Sequence, residues 1–290
     1  MGRTRGRKVP RAARRVFGLI SNGGRMMKKA WLAVGIALLA ACRLEPLDAD
    51  AARPMTCAEI AKSVKIVFED ADVLVANKPS GVPVFAAKGG TENLSSLLRR
   101  KAVCENDAPS TVFPVVDVDS DAHGLVLFAK NESQRDFLRE QAANGGVEMK
   151  YRAVVEWAFS VEKGVVDRSL TVGEDGKTRP APFGRGVKAE TEFSVVKRLG
   201  RSSYVDIRPK TVFPRQIRAH FSYIKHPLFS DALYGASYSR EFQNNALLQA
   251  YYLKFKKGDS KEVLEIELSP SDQIARAFDF AEREQAENVR

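Results

Sequence analysis

Cysteine is scarce in this 290-residue chain: Cys42, Cys57 and Cys104 are the only three, and no two share a short spacing. That pattern predicts neither a disulfide framework nor a zinc site, and it suits a reducing compartment. Long hydrophobic runs are lacking too. The apolar stretch Ala30 to Ala41 has twelve residues, which at ~1.5 Å each fall well short of a ~30 Å bilayer core. No segment repeats at a period of about 20–50 residues, which argues against solenoids and propellers. Acidic residues are absent from positions 1–29, where ten Lys and Arg lie.

What is present is material for a packed core. The composition is 44% hydrophobic and 28% charged, which excludes a disordered or collagen-like chain. The net charge of +10 is accounted for by residues 1–29, because residues 30–290 hold 36 basic and 36 acidic side chains. Within that neutral body, residues 177–225 carry twelve Lys/Arg against Glu190, Glu192 and Asp206. A body polarised in this way suits a polyanion on one face, since cations that neutralise phosphates release condensed counterions.

Residues 1–63 read as a basic and apolar extension followed by a linker. Lys28-Lys29, the apolar stretch and Leu39-Ala40-Ala41-Cys42 resemble a bacterial lipoprotein signal over 26–42, with Cys42 the lipid acceptor. Translation from Met55 would instead give a soluble protein, and this cytoplasmic form is the one expected. Membrane association then requires a lipidated Cys42.

A short helix is expected near Cys57–Ser63. Strands are expected at 64–68, 73–76, 125–129, 150–156, 164–171, 191–198, 203–208 and 262–268, where β-branched or apolar residues run between turn-formers. Leu94, Leu97 and Leu98 recur at helical spacing, residues 132–143 stop at Gly145-Gly146, and Pro270-Ser271-Asp272 opens a terminal helix through Ile274, Phe278 and Ala281. The order predicts an α+β fold: a mixed, mostly antiparallel sheet with flanking helices over 64–270, and a C-terminal helix over 271–290.

The most unusual local feature is Val116-Asp117-Val118-Asp119-Ser120-Asp121-Ala122-His123-Gly124. Read as a calcium-binding EF-hand loop from Asp117, it places Ala122 and Phe128 where that loop needs glycine and a bidentate acid. An aspartyl-phosphate phosphatase would need a distal acidic pair, and no convincing pair is present.

Five segments in order resemble the RluA-type RNA pseudouridine synthases: Val67-Phe68-Glu69-Asp70 to Asn77-Lys78-Pro79-Ser80-Gly81; Gly124 to Lys130; Tyr151-Arg152-Ala153-Val154-Val155; Gln216-Ile217-Arg218-Ala219-His220; and His226 to Gly235. The resemblance implies the synthase fold with a central cleft, an RNA partner (ribosomal or transfer RNA), a monomer, and neither a metal nor a redox cofactor. It places the catalytic aspartate on Asp119, five residues before Gly124, the family tyrosine on Tyr151 and the arginine on Arg218. Asp119 would act as nucleophile or base at the ribose, Arg218 would hold its carboxylate in a bidentate pair, and Tyr151 would stack on the target base or assist proton removal. Lys188, Arg198, Arg201 and Arg215 are the expected RNA-binding cations.

Departures from the family pattern cluster at the site. Val116 and Asp117 replace the histidine and arginine before the aspartate, Ser120 replaces an arginine, and Leu248-Gln249-Ala250 replaces Leu-His-Ala. Asp117 should raise the pKa of Asp119 by like-charge repulsion. A catalytically silent RNA-binding homologue, or a lipid-anchored protein reusing the fold, is the alternative that these changes leave open.

Overall fold

Asp70 decides how the chain turns first. Its carboxylate accepts the backbone N–H groups of Asp72 and Val73 at 2.8 and 2.9 Å, closing the hairpin between β1 (Lys65–Glu69) and β2 (Val73–Lys78). The computed structural model describes residues 56–86, 92–105, 111–237, 242, 246–258 and 262–287. The candidate lipid signal and Cys42 lie outside them.

Upstream of that hairpin, α1 (Cys57–Ser63) starts at a capping box in which Thr56 and Glu59 satisfy each other's backbone N–H groups. Asn93 and Ser96 do the same for α2 (Leu94–Cys104). Ile60 is fully buried among Leu94 and Leu97, so α1 is part of the packed body ahead of Val64. Cys57 and Cys104 form a disulfide across 47 residues with Cα atoms 5.7 Å apart, which corrects the expectation of unpaired cysteines. Spacing could not show it, because the pairing depends on how two helices pack.

The heart of the sheet is β4 (His123–Ala129), buried at all seven positions. Its alternate residues face opposite ways. Val126 and Phe128 meet Ala76, Leu94 and Leu97, while Leu125, Leu127 and Ala129 meet Val73, Val75 and Leu138 of α3 (Glu132–Ala143). The remaining strands are β3 (Phe113–Pro114), β5 (Glu148–Glu156), β6 (Lys163–Asp167), β7 (Leu170–Val172), β8 (Thr178–Pro180), β9 (Glu190–Leu199), β10 (Ser202–Pro209), β11 (Leu248–Lys256) and β12 (Val263–Glu267). Two further helices are α4 (Gln216–Tyr223) and α5 (Asp272–Glu287).

Ten strands make one sheet along β1-β2-β4-β11-β5-β10-β9-β6, with β12 on β11 and β3 on β4. Among the described ladders only β4–β11 is parallel, so the sheet is mixed and mostly antiparallel, as expected. The expected strand 164–171 divides at Arg168-Ser169: β6 joins β9, and β7 pairs with β8 in a separate ribbon. Neither β11 nor α4 was anticipated. Both are buried on nearly every side, so neither shows the polar and apolar alternation that marks an element in sequence.

Gly124 makes the parallel contact possible. Its φ is +114°, and a Cβ there would lie 2.2 Å from the carbonyl oxygen of Ala250 on β11. Gly124→Ala should therefore cost at least about 3 kcal/mol, by combining a disfavoured backbone conformation with a main-chain clash. Urea unfolding measures it; a loss below about 1 kcal/mol would mean that β4 and β11 do not approach this closely.

Candidate active site

The acid-rich segment between β3 and β4 is gripped by the loop after β2. Lys78 Nζ donates to the carbonyls of Pro79, Val82 and Ser120 at 3.0, 2.7 and 2.8 Å. Gly81 N–H also reaches Ser120 O at 2.8 Å, and Ser80 Oγ donates to Asp121 O at 2.6 Å. Lys78 is only 1% exposed. Burial pulls its pKa down to about 7 against the opposing pull of Asp119, Asp117 and Asp121.

Asp119 meets the start of α4. Arg215 sits at the N-cap in the left-handed region, φ +53°, and its backbone N–H donates to Asp119 Oδ1 at 3.1 Å. An anion is favoured there, because the first N–H groups of a helix lack intrahelical partners. One turn on, Arg218 is 2% exposed. Its Nε and Nη2 both bind Asp231 at 2.8 Å, and its Nη1 binds Asp121 at 2.7 Å. The bidentate partner is thus Asp231, where the sequence pattern pointed to Asp119; Arg218 acts on Asp119 through its charge.

Tyr151 is buried on β5, opposite Ala250 of β11, which in turn pairs with Gly124 of β4. Burial, then Asp119 and Asp117, push its phenol well above the ordinary range. Asp119 is raised chiefly by burial, with Arg218 and the Arg215 N–H opposing and Asp121 and Asp231 adding like charge. Asp117 is itself strongly shifted: burial, then Asp119, lift it to about 7. Taken as whole residues, Asp117 and Asp119 are half-buried. His123 binds Ser271 Oγ through Nε2 at 2.7 Å, and its buried Nδ1 finds no partner among the described residues. Burial lowers its pKa to about 4, so the ring is neutral.

The structure unites Asp119, Tyr151 and Arg218, but it divides the expected RNA-binding cations. Lys188 lies just before β9 and Arg215 just after β10, at the α4 end of that hairpin, and Arg215 Nη1 donates to Gly176 O at 3.0 Å. Arg198 and Arg201 lie at the other end, about 30 Å away along ten residues of strand. There Arg198 is engaged by the carbonyls of Phe159 and Val161 and by Glu162, and Arg201 stands over Trp157.

Sequence reasoning gave no role to Lys78, Asp121 or Asp231, though all lie in segments it singled out. A buried arginine needs carboxylates around it, but the burial of Arg218 shows only in the fold, so the sequence carries no signal for Asp231. Among the described residues no group of three or more His, Cys, Asp or Glu side chains is arranged to hold a metal ion.

Asp117 has a testable consequence. Its folded pKa of about 7 lies above the ordinary 3.8, so its contribution to stability is complete below the lower value and is lost as pH rises through the higher one. Lys78, shifted downward, runs in the opposite sense. Asp117→Asn should therefore gain stability relative to the unaltered chain between about pH 4 and pH 7, and hold a constant lead above that, in urea unfolding across pH. A difference independent of pH would show that Asp117 is not buried against Asp119.

Residues 72–223 match the family described as RNA pseudouridylate synthase. The uncharacterized RNA pseudouridine synthase YlyB of Bacillus subtilis is 32% identical over 219 residues, covering 74% of this chain and 71% of that protein. The ribosomal large subunit pseudouridine synthase D of Zymomonas mobilis is 33% identical, covering 64% of this chain and 60% of its own. The solved human RNA pseudouridylate synthase domain containing 4 superimposes with a TM-score of 0.63 over 78% of this chain and 95% of its own; at 19% identity it supports the fold alone. With the family match extending over more than half of the sequence, this chain belongs to the RluA-type RNA pseudouridine synthases, isomerases that convert uridine to pseudouridine in RNA.

Proposed function

We propose that the chain isomerises a uridine of ribosomal RNA and that Asp119 is the group acting at the ribose. The observation that carries this reading is the Asp119 carboxylate on the N-terminus of α4, with Tyr151 and Arg218 around it. The ribosomal substrate is supported by the relatives named for the large ribosomal subunit.

The reaction breaks the bond between C1′ and N1 of the base, turns the base, and rejoins C1′ to C5, which then loses a proton. Asp119 is placed to attack or deprotonate the ribose, its charge sustained by the Arg215 N–H and by Arg218. Tyr151 stays protonated, so it serves as a stacking surface and hydroxyl donor, and the C5 proton goes to another base. Arg218 is a positioning residue: by tying Asp231 and Asp121 to α4 it sets where Asp119 lies.

Asp119→Asn should lower pseudouridine formation at least about a hundredfold while leaving RNA affinity nearly unchanged. The site itself emerges from mapping pseudouridine in cellular RNA with and without the protein. Turnover that survives the substitution would move the chemistry to Asp117 or Asp121.

RNA binding is assigned to the α4 end of the sheet. Changing Lys188 and Arg215 together to Gln should reduce the slope of log affinity against log salt by roughly one to two, and changing Arg198 and Arg201 should reduce it less. Equal effects would restore a continuous basic strip.

For compartment, we place the protein with its RNA in the cytoplasm; the Cys57–Cys104 disulfide is then one formed within a reducing compartment. No helix among the described residues is long and apolar enough to cross a membrane. Acid-quenched cells and peptide mass mapping test this. A diacylated Cys42 would overturn it.

A further inference from the structure

Phe183 is 97% exposed, the most exposed of the large apolar side chains among the described residues. It does not lie on a slack loop. Pro182, Phe183, Gly184 and Arg185 form a turn closed by Arg185 N–H to Pro182 O at 3.0 Å, with Gly184 at φ +71°, as a type II turn requires at its third position. Both legs are tied to the β7 side of the ribbon: Ala181 N–H donates to Ser169 O at 2.8 Å, and Leu170 and Val187 exchange hydrogen bonds of 2.9 and 2.8 Å. Gly186 closes the base, because a Cβ there would lie 2.3 Å from that of Ala181.

This ribbon is braced against the active site. Thr178 Oγ1 donates to Pro214 O at 2.8 Å, and Tyr234 OH donates to Thr178 O at 3.1 Å. Phe183 follows Thr178 by five residues, a path of at most ~18 Å. Residues 173–189 carry Lys177, Arg179, Arg185 and Lys188 against Glu174 and Asp175, and Asp175 is taken up by Arg179 through two hydrogen bonds, which leaves Arg185 and Lys188 as the cations on the Phe183 side of the ribbon. A rigidly presented ring among cations fits an unpaired nucleic-acid base, whose face stacks on an aromatic while its phosphates meet Lys and Arg. A membrane-seeking surface would gather several large apolar side chains, and this turn offers one.

We propose that Phe183 is a stacking platform for an unpaired RNA base flanking the target uridine. The proposal rests on the reading of this chain as an RNA-modifying enzyme and adds a recognition residue to it. The platform favours uridines in loops over those in continuous duplex, because only a loop has a free neighbouring base to offer.

The test compares the full-length chain with Phe183→Ala and Phe183→Trp. The probes are a labelled stem-loop RNA with an all-uridine loop, a blunt duplex of the same stem, and phosphatidylglycerol vesicles. Phe183→Ala should weaken stem-loop binding about tenfold, leave duplex binding within about twofold, and leave thermal unfolding unchanged. Phe183→Trp should keep the affinity and show quenching of the new indole by the stem-loop. Equal stem-loop binding by Phe183→Ala and the unaltered chain overturns the platform while the RNA reading stands. Absence of stem-loop binding by the unaltered chain overturns both, and vesicle binding lost in Phe183→Ala would assign the ring to a membrane instead.

Discussion

The site is organised by one buried cation. Arg218 is taken almost wholly out of water, and a guanidinium in that position is tolerated only when each face of its fork is met by an acceptor. Asp231 meets two of its nitrogens and Asp121 a third. The acid loop, 97 residues before Arg218, is therefore drawn to the first turn of α4 and to the stretch before Tyr234 around one side chain. Asp119, two residues before Asp121, is carried by the same loop onto the N-terminus of α4. Lysine could not do this, since a single ammonium has no planar fork to span two carboxylates.

Around that pair the charge balance is negative. Asp117, Asp119, Asp121 and Asp231 face Arg218 and Lys78, and the low polarity of the surroundings penalises every unmatched charge. Burial is the main reason that two of the acids are raised together, and the surplus of like charge adds to it. The like charges acting on Asp119 come from Asp121 and Asp231, and Asp117 is itself lifted to about 7 by burial and by Asp119. Lys78 stands near it, so the acid that replaces the family arginine is not left without a cation.

The scaffold brings these groups into register through close backbone approach. Because Gly124 has no side chain, β4 can lie against β11, and β11 against β5, which puts the acid loop two strands from Tyr151. The acid loop is then pinned from the other side by Lys78, whose three protons are all spent on carbonyls. Such a loop has little freedom to rearrange, and preorganised groups of this kind need no reorganisation at the moment of reaction.

Local patterns in the sequence determined the elements that have one wet side or a clear cap: the β1–β2 hairpin at its Asp70 turn, α2 with its three leucines, α3, the β9–β10 hairpin and α5. The ordered motifs also determined the family. What only the tertiary structure decided is whatever depends on a partner distant along the chain. The central strand β11 and helix α4 are buried on nearly every side, so their sequences carry no alternation by which to recognise them. The choice of Asp231 as the partner of Arg218 and the pairing of Cys57 with Cys104 both follow from packing. A charge or a thiol fixes what a residue can bind, and only the fold fixes what is within its reach.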